Sequence, residues 1–239
     1  SATSINVSLT GVANATSYTA RIYLASDTSN ILRTITSFTS GSAITGLTAN
    51  TAYVVSITAI GDGTSYADSS ASAFSSSITT NAAAATPTVS APSSVSKNVG
   101  ATHRFSSSAT VGDAGALTYQ WQVSSNGTDW SDISGATAVD YTTDVFTQVG
   151  DVQYRMSATN SKNGTTTTAY SSAATLTVTR TTLGTPVAPT GSATSGSATS
   201  INVSLTGVAN ASSYTARIYL ASDTSTALQT LTSFTSGSA

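Results

Sequence analysis

The sequence predicts an all-β protein made of tandem antiparallel β-sandwiches, and three observations carry that expectation. Ser and Thr supply roughly two fifths of the 239 residues, all ten acidic residues are Asp, and only 8% of residues are charged. Good helix formers such as Glu and Lys are absent or scarce, whereas Thr, Val, Ile and Tyr suit strands. Short segments alternate apolar and polar residues with a period of two, as half-buried strands do. The chain also repeats itself: residues 1–43 and 197–239 align without gaps at an offset of 196. Five pairs differ, namely Thr16/Ser212, Asn30/Thr226, Ile31/Ala227, Arg33/Gln229 and Ile35/Leu231. Near identity over so long a period points to recent duplication within a tandem array.

The elements follow in order. Residues 4–9 alternate Ile5, Val7 and Leu9 against Asn6 and Ser8; residues 18–24 place Tyr18, Ala20, Ile22 and Leu24 on one face. Residues 52–60 do the same with Tyr53, Val55, Ile57 and Ala59, and turn clusters such as Gly61-Asp62-Gly63 separate these runs. Regular short strands between turns predict a sandwich. The stretch from Leu47 through Thr48, Ala49, Asn50, Thr51 and Ala52 to Tyr53, followed by alternating apolar residues, resembles the fibronectin type III family. The resemblance implies a fibronectin type III-like sandwich over residues 1–83 with its first edge strand missing. It also implies a corner role for Tyr53, whose hydroxyl would bond back to upstream backbone. Leu9 stands where that family usually has Trp, as does Leu205 in the second copy.

Residues 84–182 read as a different sandwich. Leu117 to Val123 holds a central Trp121, Asn126-Gly127 signals a type I′ hairpin, and residues 128–133 follow as its return strand. Residues 151–160 lead to a second turn at Asn163-Gly164, and Leu176 and Val178 mark the last strand. These motifs resemble the immunoglobulin-like repeats of large bacterial surface and secreted proteins. Met156 stands two residues after the corner Tyr154, where the antibody pattern has its second Cys, so Trp121 is expected to pack on Met156 and Phe105 instead of a disulfide. Residues 183–239 are expected to be a linker plus the N-terminal half of the next fibronectin type III-like copy. The Pro- and Gly-containing segment 184–196 would feed its first edge strand. Such a half would be completed by further chain or by strands from a neighbouring molecule.

Composition excludes several function classes. Eight Arg and Lys spread along a chain of net charge −2 form no basic patch for nucleic acid. No run approaches the ~20 apolar residues of a membrane span. With no Cys there is neither a thiol nucleophile nor a Cys-based zinc site.

No catalytic, cofactor or metal residues are assigned, and no enzyme activity is expected. His103, the single His, has no G-x-S-x-G elbow to serve. Asp129/Asp132 and Asp140/Asp144 would be the carboxylate pairs for glycoside chemistry, but they sit near turns. The same two pairs could instead bind calcium at loop ends, with Asp62 and Asp68 as the runner-up pair. The self-made isopeptide bonds of some surface adhesins need a Lys, an Asn or Asp partner and a buried acid, whereas Lys97 and Lys162 lie near turns or strand ends and Glu is missing. Trp130, Tyr23, Tyr66 and Tyr170 are the aromatics able to stack on sugars.

The hallmark residues are thus structural: Leu47, Tyr53, Trp121, Tyr154 and Met156. The expected role is that of a structural repeat in a long extracellular, bacterial surface protein, forming a stalk, fibre or sheath by self-association with neighbouring copies, with adhesion to a glycan or host surface in reach. The competing expectation is a glycan-binding or spacer array attached to a secreted enzyme. Thr-rich sheet edges such as residues 164–169 would offer docking strips.

Overall fold

The structure is a computed structural model that describes residues 1–193 and 200–234, and every regular element among these is a β-strand. Two compact units emerge, Ser1–Val178 and Thr179–Ala239.

The first module of the first unit contains β1 (Ile5–Asn6), β2 (Ser17–Leu24), β3 (Arg33–Ile35), β4 (Ala43–Ile44), β5 (Ala52–Ile60) and β6 (Ile78–Thr79). β1 pairs with β4 in one sheet, and the order β3-β2-β5-β6 makes the other. β2 and β5 run antiparallel from Ser17 opposite Ile60 to Leu24 opposite Tyr53. That register puts both apolar alternations on one face, where Ala20, Ile22, Tyr53 and Val55 pack with Ile5, Val7 and Ile44. The result is a fibronectin type III-like sandwich. β5 is covered on its other face too: Val54, Ser56 and Thr58 are buried, and Tyr23 packs edge-on against Phe74 at 5.0 Å.

The second module contains β7 (Thr88–Val89), β8 (Val95–Asn98), β9 (Arg104–Ser106), β10 (Ala109–Thr110), β11 (Ala116–Ser124), β12 (Ser131–Asp132), β13 (Asp140–Thr142), β14 (Gly150–Lys162), β15 (Thr165–Tyr170) and β16 (Ala174–Thr179). One sheet has the order β12-β11-β14-β16-β8, with β15 also on β14; β13 pairs with β9 and β7 with β10. Trp121 lies directly across from Met156, and both are fully buried. Phe105, Trp121, Tyr141 and Tyr154 close a ring of four aromatic contacts, with centroids 4.8 to 6.0 Å apart. Burial first, then the neighbouring Tyr141, pushes the Tyr154 hydroxyl up to about 12.

The two Asn-Gly pairs behave differently. At Asn163-Gly164 both residues have positive φ, 52° and 81°, and Lys162 pairs with Thr165, as a two-residue I′ turn requires. At Asn126-Gly127 the expected I′ turn is absent, because only Gly127 has positive φ. The Ser124 hydroxyl accepts the Gly127 N–H (2.9 Å), and Asn126 Oδ1 accepts those of Thr128 and Asp129. This side-chain capping makes a wider loop, and the return strand is only β12 instead of residues 128–133.

The second unit contains β17 (Thr190–Ala193), β18 (Ile201–Ser204), β19 (Tyr214–Ile218) and β20 (Gln229–Phe234), paired β17-β18 and β19-β20. Its local structure copies the first module. Ile218 faces Gln229 and Arg217 faces Thr230, as Ile22 faces Arg33 and Arg21 faces Thr34. Tyr214 accepts the Val208 N–H at 2.6 Å, as Tyr18 accepts that of Val12 at 2.6 Å. Burial does not copy. Ile5 is 5% exposed and its counterpart Ile201 48%; Tyr23 is 9% and Tyr219 40%. The repeated residues make the same strands and turns in both copies, with different burial.

Candidate functional site

The hydroxyl-rich composition has a structural use. Ser69, Ser72 and Ser75 donate their N–H groups to the carbonyls of Ala59, Ile57 and Val55 at 2.8 to 2.9 Å. Their Oγ atoms accept the N–H groups of those same three residues, at 2.9 to 3.1 Å. Each Oγ in turn donates to the carbonyl of the following residue, Ser70, Ala73 or Ser76. A hydroxyl thus replaces one carbonyl of the ladder, and three residues of one segment span two of β5. An ordinary bulge leaves a backbone group to be satisfied elsewhere; here the side chain satisfies it. The same exchange joins Thr80 to Thr51, Ser90 to Ser108, Thr143 to His103 and Ser171 to Met156. At Ser171 it lets one segment pass from β15 to β16 along the edge of β14.

The hallmark residues sit in the two cores. Leu47 is buried and Tyr53 almost wholly so, with the Tyr53 hydroxyl accepting the Thr48 N–H at 2.9 Å. Trp121 Nε1 donates to the Ala138 carbonyl at 2.9 Å.

The joint between the two modules is a hydrogen-bonded seam. The Ala2 N–H donates to the Asn163 carbonyl (2.8 Å) and the Asn81 N–H to the Ser1 carbonyl (3.0 Å). Asn163 Nδ2 donates to the Ala82 carbonyl (2.9 Å), and Asn81 Nδ2 to Asn163 Oδ1 (3.3 Å). Thr165 and Thr167 hold both backbone groups of Ala84, accepting its N–H (2.8 Å) and donating to its carbonyl (2.9 Å). The Ala85 N–H donates to Asp113, and buried Asn160 donates to the Ala85 carbonyl and to Asp113. These bonds, the Ala85 N–H foremost, lower the Asp113 pKa. The Thr-rich edge expected to dock partners therefore holds the chain's own linker.

A third feature is an open groove of about 410 Å³ beside β1, with Val7, Leu9, Val55, Ile57 and Ala59 in its walls and the serine segment 69–75 along its rim.

Most of the candidate residues for chemistry take part in structural contacts. Asp62 Oδ1 accepts N–H groups from Thr64, Ser65 and Tyr66, and Asp68 Oδ1 accepts that of Gly61. The loop is too tight for a side chain at Gly61, whose Cβ would fall 2.0 Å from the Tyr66 carbonyl oxygen. Asp129 accepts from Asn126, Asp132 from Gln122, and Asp140 from Ser106 and its ion-pair partner Arg104. His103 packs edge-on against Phe105, and burial, then Lys97, lowers its pKa. Among the described residues no group of three or more His, Cys, Asp or Glu could hold a metal. The Arg155 guanidinium lies 4.2 Å from the Trp130 ring centre and 4.3 Å from that of Tyr170. It covers two of the four aromatics considered for sugars, and Tyr23 packs on Phe74.

Asp62 gives a pH test. Its three N–H donors, Tyr66 first, lower its pKa from 3.8 to about 2. A depressed native pKa adds stability above the unfolded value and loses it as pH falls through the native one. The thermal midpoint of Asp62→Ala, followed by circular dichroism, is expected to lie below that of the native chain at pH 6. The gap should narrow between about pH 4 and 2.

A family model described only as a domain of unknown function, DUF8696, matches residues 74–180. No curated protein matches the chain. Among solved structures the chain is similar to the FN1–FN3 domains of chicken CNTN1, at 17% identity over 92% of this chain and 75% of that chain, with a TM-score of 0.28.

Proposed function

We propose that the chain is a structural repeat of a long extracellular, bacterial surface protein, building a stalk, fibre or sheath by contact between modules and between copies, without catalysis. The seam at residues 81–85 is the observation that carries this reading. A linker whose backbone is held by Thr165, Thr167, Asp113, Asn160 and Asn163 transmits the orientation of one sandwich to the next. Repetition of that geometry every 196 residues builds a quasi-one-dimensional rod. Low net charge supports lateral packing, since repulsion between copies is small.

The double variant Asn163→Gly, Thr165→Val tests the seam. Gly keeps the left-handed turn while the side-chain bonds to Asn81, Ala82 and Ala84 vanish, a loss of about 2 kcal/mol for the contact. In the native chain, 15N relaxation is expected to give residues 1–80 and 86–178 a common tumbling time, and in the variant two separate ones. Independent tumbling of the two modules in the native chain would overturn the rod reading.

A further inference from the structure

We infer that Asn163 is a modification site, where spontaneous deamidation through a cyclic imide turns the side-chain amide into a carboxylate, and that this change releases the joint between the two modules. The release rests on the structural-repeat reading of the seam; the reactivity of Asn163 does not.

The chain holds its own comparison, because Asn126-Gly127-Thr128 and Asn163-Gly164-Thr165 are the same three residues. Deamidation at such a pair starts when the glycine nitrogen attacks the asparagine Cγ, and a residue without Cβ leaves that nitrogen uncrowded and its backbone free to turn. At the first pair the structure opposes the step. The Gly127 N–H is engaged by Ser124 Oγ (2.9 Å). Asn126 Oδ1 accepts from Ser124, Thr128 and Asp129 at 2.9 to 3.0 Å, and Nδ2 donates to the Asp129 carboxylate. The amide is held over residues 128 and 129, and the attacking nitrogen is occupied. At the second pair the two-residue turn pairs Lys162 with Thr165 and leaves the Gly164 N–H without an acceptor among the described residues. Gly164 is exposed, and the Asn163 side chain has two partners there, the Ala82 carbonyl and Asn81 Nδ2.

The reaction needs water alone. The Gly164 nitrogen loses its proton and bonds to Asn163 Cγ, the Cγ–Nδ2 bond breaks, and Nδ2 leaves with that proton as ammonia. Water then opens the imide, at the Cγ carbonyl to give aspartate or at the main-chain carbonyl to give isoaspartate. Both products disturb the seam. Aspartate sets an oxygen, in place of Nδ2, against the Ala82 carbonyl, so a 2.9 Å hydrogen bond becomes a contact between two acceptors. Isoaspartate carries the main chain through Cγ, which displaces the carbonyl that accepts the Ala2 N–H. It also lengthens the turn just before Thr165 and Thr167, the clamps on Ala84. Each event adds one negative charge to a chain of net charge −2, which raises repulsion between copies.

Ageing the whole chain in mildly alkaline buffer, with peptide mapping by mass spectrometry, tests the site. In the folded chain Asn163 is expected to deamidate at least about fivefold faster than Asn126, the worth of one net hydrogen bond. In concentrated urea the two sites should react alike. Ser124→Ala, which frees the Gly127 N–H, should bring Asn126 toward the rate of Asn163. The deamidated fraction, separated by its extra charge on an anion exchanger, and the Asn163→Asp chain are both expected to show two tumbling times by 15N relaxation where the fresh chain shows one. Equal or slower reaction at Asn163 than at Asn126 in the folded chain overturns the site. A deamidated chain that still tumbles as one body overturns the release. Independent tumbling in the fresh chain would instead strike the structural-repeat reading, and the mapping would still decide the site, so the two fail separately.

Discussion

Replacing Trp121 by Ala is expected to destabilise the second module by about 3–5 kcal/mol, a large part of the 5–15 kcal/mol that holds a typical domain together. Trp121 and the opposing Met156 are both fully buried, and the indole contacts Phe105 and Tyr141 on either side of the aromatic ring of four. Removal opens a cavity at the centre of that cluster and leaves the Ala138 carbonyl without its 2.9 Å donor. No disulfide holds the two sheets while the core is defective. The only other Trp, Trp130, lies under Arg155, so the loss of blue-shifted fluorescence reports Trp121 alone. Urea unfolding is expected to show the native transition shifted to far lower concentration, with Met156→Leu shifting it by less than about 1.5 kcal/mol because volume is conserved. A Trp121→Ala shift below about 1 kcal/mol would mean that the module's stability resides outside this cluster.

The cores were legible because burial imposes a period. Tyr53, Val55 and Ala59 alternate in sequence and are buried together, and the return of residues 1–43 at 197–239 is read from the sequence directly. Features that depend on what lies opposite were not legible. Ser69, Ser72 and Ser75 recur every third residue, which matches neither a strand nor a helix, and they read as loop until β5 is placed beside them. Two identical Asn-Gly pairs gave two different turns, since Ser124 captures the Gly127 N–H at one and flanking strands run to the turn at the other. Arg155 reaches Trp130 and Tyr170 across separate segments, a contact no local window contains. The second unit makes the same point from the other side: identical residues make the same turns, yet Ile201 stays exposed where Ile5 is buried.

The serine ladder yields the other large effect. In the triple variant Ser69→Ala, Ser72→Ala, Ser75→Ala the N–H groups of Ala59, Ile57 and Val55 lose their acceptors. The carbonyls of Ser69, Ser72 and Ser75 cannot take over without removing the extra residue from each step. About 1 kcal/mol per amide gives roughly 3 kcal/mol in all, concentrated at Val55 and Ala59, which are themselves buried. Solvent-wetting hydroxyls, by contrast, would be replaceable within about 0.5 kcal/mol each. Replacement by Thr keeps the acceptor, as Thr80 and Thr143 already do in the same geometry, so the triple Thr variant is expected to stay near native stability. Hydrogen exchange at residues 55, 57 and 59 separates the cases: it should accelerate strongly in the Ala variant and stay close to native in the Thr variant. Unchanged protection in the Ala variant would show that these hydroxyls wet the surface and do not complete the sheet.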